Sequence, residues 1–140
     1  MIVVLDASAV VELVVGTRPG IRIRDRLADP GISLHSPELL DLEVLNVLRR
    51  YERTGTVSPD RVAEAFRNLL DLDLVRHGHG VLLERVWARR LNLTAYDAAY
   101  VALAEILDAP LLTTDGRLAR VPQLPIAVEV FAPSAPGSPA

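Results

Sequence analysis

The chain opens with MIVVLDASAVVEL, an apolar run from Ile2 to Leu5 that Asp6 cuts off and helix-like sequence follows at once. A short, fully apolar run with a sharp polar stop reads as a strand buried on both faces. In open α/β sheets ligands sit just beyond the carboxyl ends of such strands. Asp6 therefore stands at the expected working edge, with Ser8 two positions further on.

The rest of the chain alternates short apolar runs with helical periodicity. The helix over 7–15 is so apolar that Val10, Val11, Leu13, Val14 and Val15 cannot all face one core, which calls for further cover on part of it. Gly16 stops it, and Pro19 opens a second helix ending near Asp29-Pro30-Gly31. A brief strand is expected over 32–35 and a long helix from Pro37 to about Tyr51. The Ser58-Pro59 cap opens the returning arm, 61–70. A third strand is expected over 72–75, then the loop Arg76-His77-Gly78-His79-Gly80, a helix over 81–91, and a Thr94-capped helix over 95–107. Two last strands are expected over 110–113 and 126–130.

This order predicts one domain over 1–131, an α/β fold in three layers, with a central, mostly parallel sheet of four to five strands flanked by helices. It brings Asp6 and Asp115 to one sheet edge, whereas Glu43 reaches that edge only if its helix leans across it. The Pro-rich segment 132–140 reads as a disordered C-terminal tail outside the fold.

Composition narrows the functional classes. No apolar run reaches the 18 or so residues that span a bilayer, and no basic segment precedes the first one, so a soluble, cytoplasmic protein without membrane contact is expected. Cysteine is absent, which excludes disulfides and thiolate metal sites. The net charge of −3 argues against gripping nucleic acid by bulk electrostatics. All 15 basic residues are arginine, many of them clustered. Their forks suit phosphate, although solvated helix faces explain them equally well. The lack of lysine counts against phosphoacceptor receiver domains and haloacid-dehalogenase-like phosphatases. Neither a Walker-type loop nor a full G-x-G-x-x-G is present.

Taken singly, the acids have ordinary explanations. Asp6 or Ser8 caps a helix, Thr94 to Asp97 has capping-box spacing, Asp115-Gly116 makes a turn, and Glu43 is a surface residue. Context changes the balance for two of them. Glu43 lies in LLDLEVLNVL and Asp97 opens DAAYVALAEIL, so both carboxylates are crowded by apolar neighbours. A buried carboxylate without a partner is costly or protonated, and no basic residue lies one helical turn from Asp97. Carboxylates converging on Mg2+ or Mn2+ would relieve both desolvation and mutual repulsion.

VVLDASAVVEL, SPELLDLEVLNVLRR, LTAYDAAYVALA and LLTTDGRLA, taken together, resemble the four motifs of the PIN domain in the order typical of VapC-type toxin ribonucleases. The resemblance runs from Met1 to about Val130. It implies a PIN-like fold and a divalent-metal-dependent endoribonuclease, the toxin of a VapBC-type toxin–antitoxin module, cutting RNA by metal-activated water to leave 3′-OH and 5′-phosphate ends. The catalytic and metal-binding acids it implies are Asp6, Glu43, Asp97 and Asp115 with one or two Mg2+ or Mn2+ ions, supported by Ser8 and Thr113. Arg49, Arg50, Arg117 and Arg120 are candidates for phosphate contacts with RNA. The resemblance further implies a homodimer and a VapB-like antitoxin seated in an apolar groove. Some of Val10, Val11, Val14 and Val15 are assigned to that groove, with burial inside the monomer as the alternative. His77 and His79 are read as solvent-loop residues, with metal binding as the alternative. A PIN nuclease in RNA processing, and an acidic binding module without activity, are the competing readings.

Overall fold

The computed structural model describes residues 1–133. Most of the expected tail, 134–140, lies outside the described residues. Of its first two residues, Ala132 accepts a hydrogen bond from Arg22 at 2.6 Å through its carbonyl oxygen.

Five parallel strands form one sheet in the order β3-β2-β1-β4-β5. They are β1 (Ile2–Leu5), β2 (Ser33–Pro37), β3 (Leu74–His77), β4 (Leu111–Thr113) and β5 (Val128–Val130). Between them run α1 (Ala7–Val15), α2 (Arg18–Arg26), α3 (Leu39–Thr54), α4 (Pro59–Asp71), α5 (Leu83–Ala88), α6 (Ala95–Leu107) and α7 (Gly116–Ala119), with a 3-10 turn over Gly80–Leu82 before α5. Val3, Val4 and Leu5 are fully buried, as are Leu111 and Leu112 beside them, because helices cover both faces of the central strands. The chain builds outward from β1 to β3, then returns to the other side of β1 for β4 and β5. Strand order therefore reverses between β1 and β4, where open α/β sheets place their ligand crevice.

The sheet is wholly parallel rather than mostly so. β3 starts two residues later than expected, because Leu72 caps the end of α4 and the run pairs with β2 in the register Leu34 to Leu74. Pro37 ends β2 instead of opening the long helix: it stands opposite His77 at the last rung, and the N–H that donates to the His77 carbonyl oxygen, at 2.9 Å, is that of Glu38. The expected helix over 81–91 is a 3-10 turn followed by the short α5, and α7 was not expected at all.

The apolar α1 is covered by α2, α3 and α4, and Val10, Val11 and Val14 are 0%, 3% and 4% exposed. That burial matches the alternative to the partner groove for these three valines, while Val15 keeps partial exposure. The α1–α2 junction is tight. Gly16 ends α1 at φ +83°, Thr17 caps α2 by accepting from Gly20 N–H, and Gly20 lies directly against the Glu12 carbonyl. Among the described residues no helix is long and apolar enough to cross a membrane.

Candidate active site

At the β1/β4 reversal a cleft of about 330 Å³ is lined by Asp6, Ala7, Ser8, Glu43, Asn46, Val47, Asp97, Tyr100 and Asp115. All four acids singled out in the sequence border it.

Asp6 leaves the end of β1 and caps α1. Its Oδ1 accepts from Ala9 N–H at 3.0 Å and from the Ser8 hydroxyl at 2.6 Å, while Oδ2 accepts from the Thr113 hydroxyl. Ser8 Oγ in turn accepts from Thr114 N–H, and Thr113 Oγ1 from Asp115 N–H, both at 3.0 Å. Ser8 and Thr113 thus tie the ends of β1 and β4 together around one carboxylate. Asp6 is only 6% exposed, and burial pushes its carboxyl up to about 6 despite these donors, with the nearby Asp97 adding to the rise.

Glu43 lies on α3, which leans far enough across the edge for its Oε1 to accept from the Tyr100 hydroxyl at 2.5 Å. Asp97 stands in the first turn of α6, where its N–H is capped by Thr94 Oγ1 at 3.2 Å. Both carboxyls are raised above their ordinary values, first by burial and then by neighbouring acids. Asp115 differs. It caps α7 and holds Arg117 in a bidentate pair, with Nη2 2.7 Å from Oδ2, which lowers its pKa. Among the described residues the acids line the cleft without closing into a cluster of three or more around one point.

The donor set fits a hard divalent cation. It offers carboxylate oxygens with no sulfur or imidazole, which suits Mg2+ or Mn2+ rather than softer ions. Three of the four acids are raised in pKa, chiefly by burial and further by their acidic neighbours, and a cation there would offset both.

The histidines belong elsewhere. His77 lies in β3, not in a loop, with Nε2 2.8 Å from His35 Nδ1, and His79 Nε2 accepts from Leu39 N–H at the start of α3. Neither borders the acidic cleft. The arginines divide. Arg117 sits at the cleft edge paired with Asp115, and Arg120 is exposed nearby. Arg49 faces the groove between α3 and α4, and Arg50 stacks over Tyr51 at 5.8 Å. Tyr100 and Asn46 were not read as site residues. The available signal was spacing, because each lies three residues after an acid, Asp97 and Glu43 respectively, on the same helical side.

A parallel sheet with acids gathered at its reversal point defines the class. The PIN domain family model matches residues 3–124, and the chain belongs to that family. It is similar to ribonuclease VapC3 of Mycobacterium tuberculosis, at 43% identity over 119 residues covering 84% of this chain and 85% of that protein. Ribonuclease VapC1 of the same organism is 41% identical over 128 residues, 91% of this chain and 96% of the relative. Among solved structures, PAE2754 from Pyrobaculum aerophilum aligns with a TM-score of 0.61 at 25% identity, covering 87% of this chain and 89% of its own. A toxin-antitoxin complex from Klebsiella pneumoniae aligns at 0.62 and 16% identity, covering 92% and 97%, and at that identity it speaks for the fold alone.

Proposed function

We propose that this protein is an endoribonuclease, the toxin of a toxin–antitoxin module, and that it works with a divalent cation held by Asp6, Glu43, Asp97 and Asp115. The observation that carries the proposal is the meeting of these four acids in one cleft at the β1/β4 reversal, in a chain whose relatives are named ribonucleases. RNA, an antitoxin and a second copy of the chain are the partners this reading implies. The antitoxin would rest on a surface other than Val10, Val11 and Val14, which the monomer already covers.

When bound, Mg2+ or Mn2+ supplies charge neutralisation on the scissile phosphate and lowers the pKa of an attacking water. Ser8 and Thr113 orient Asp6 through its two oxygens and fix β1 against β4. Asp97 and Glu43 add negative charge from two other elements, so the cleft repels RNA until a cation offsets it. Arg117, 79% exposed in its side chain, lies where it can exchange its hold on Asp115 for a phosphate oxygen.

Purified full-length protein is expected to cut RNA with Mn2+ or Mg2+, to stop in chelator and to resume on restoring the metal. Cleavage that persists in chelator would overturn the metal-dependent reading. The Arg117→Ala variant frees Asp115, so Mn2+ should bind a few-fold more tightly while KM for RNA rises. Calorimetric titration with Mn2+ and steady-state cleavage separate the two effects, and unchanged values for both would remove Arg117 from the site.

A further inference from the structure

Tyr100 is 2% exposed and lies one helical turn beyond Asp97 on α6, yet it lines the acidic cleft. A tyrosine buried to this degree needs a partner for its O–H. That partner is Glu43, whose Oε1 accepts at 2.5 Å. Ala7, at the start of α1, lines the same cleft beside Asp6. One hydroxyl therefore sits where α6, α3 and the start of α1 meet.

Glu43 needs such a hold. A glutamate loses more rotamer freedom on ordering than most side chains. Its α3 neighbours Leu42, Leu45 and Asn46 are exposed, so water is within reach of the carboxylate. The phenol is the donor in this bond and the carboxylate the acceptor, so the hydroxyl fixes one of the two Glu43 oxygens at 2.5 Å. The hydroxyl touches a carboxylate rather than the reacting atoms, which makes its effect one of orientation.

We propose that Tyr100 is a positioning residue whose hydroxyl holds the Glu43 carboxylate toward the cleft that Asp6 and Asp97 also line, where it is available to a divalent cation. This inference rests on the metal-dependent reading of the site. A phenol that only filled space would be replaced by phenylalanine without consequence for Glu43.

The test uses the full-length chain, its Tyr100→Phe and Glu43→Ala variants, and the double variant. In chelator, 13C relaxation of the Glu43 side-chain methylenes should report one ordered conformer in the wild type and rotamer averaging in Tyr100→Phe. Equal order in both would overturn the proposal. The Mn2+ dissociation constant of Tyr100→Phe should rise about 10–100-fold, with kcat lowered and KM for RNA within about twofold of wild type. In the Glu43→Ala background the same change should add less than about twofold. Unaltered Mn2+ affinity, or full additivity of the two substitutions, would show that the ring only packs. A wild type that binds no Mn2+ removes the metal reading instead, and the relaxation measurement still decides whether Tyr100 orders Glu43. Should Tyr100→Phe not fold, the phenolic proton of Tyr100 probes the bond from the other side. It should resonate downfield in the wild type and shift upfield in Glu43→Ala, and an unmoved resonance would count against the bond.

Discussion

Replacing Asp6 by asparagine is expected to abolish RNA cleavage and, at neutral pH, to stabilise the fold. Loss of a carboxylate ligand should lower the rate by about 100-fold or more. The gain in stability follows from burial. Asp6 ionises near 3.8 when unfolded but at about 6 when folded. Below pH 3.8 both states carry it neutral and nothing is lost. Between pH 3.8 and about 6 the unfolded chain gives up this proton while the folded chain keeps it, so stability falls across that window and levels off above it. The penalty approaches about 3 kcal/mol at pH 7. The asparagine keeps the cap, because its carbonyl oxygen still accepts from Ala9 N–H and Ser8, while its amide donates to Thr113 Oγ1. Metal-free melting should therefore show Asp6→Asn above wild type by about 5 °C or more at pH 8, with the difference closing by pH 4. A variant no more stable than wild type at pH 8 would refute the buried-charge account. In a bacterial host, wild type but not the variant should arrest growth.

The second large effect concerns the junction between α1 and α2, at the opposite end of α1 from Asp6. A Cβ at Gly20 would run into the Glu12 carbonyl oxygen and lie 2.5 Å from the carbonyl carbon. No rotamer relieves a collision with backbone, so α2 must move away from α1. Gly20→Ala should cost about 3 kcal/mol or more and lower Tm by about 10 °C. The control is Gly78→Ala, where a Cβ meets nothing within 4 Å. Equal melting of the two variants would show that the close approach of α1 and α2 is not needed.

The sheet core and the cleft acids were legible because they rest on strong, local signals. β1 and β4 are apolar runs closed by Asp6 and by Thr113 to Asp115, and parallel topology places such ends together. What escaped the sequence depends on pairing between distant residues. The start of β3 is set by register with β2, not by its own composition, which is why His77 moved from loop to strand. The valines of α1 looked surplus because nothing in the sequence shows α2, α3 and α4 closing around one helix. Tyr100 reads as one more apolar residue of α6 until Glu43, on another helix, accepts its proton. The pairing of Arg117 with Asp115 spans only two residues, but α7 was not foreseen and so neither was its cap.

The strand order also governs when the molecule becomes complete. Asp6 and its partner Thr113 are 107 positions apart, and β1 cannot gain β4 as a neighbour until nearly the whole chain is present. Closing so long a loop is entropically expensive and slow, so this pairing belongs among the late events of folding. During synthesis the first strand would emerge with its acid long before the fourth, and the cleft would stay unassembled on the ribosome. A chain cut short before β4 could pair β1 with β2, yet it would lack the Thr113 and Asp115 side of the site, so truncated products carry no formed cleft.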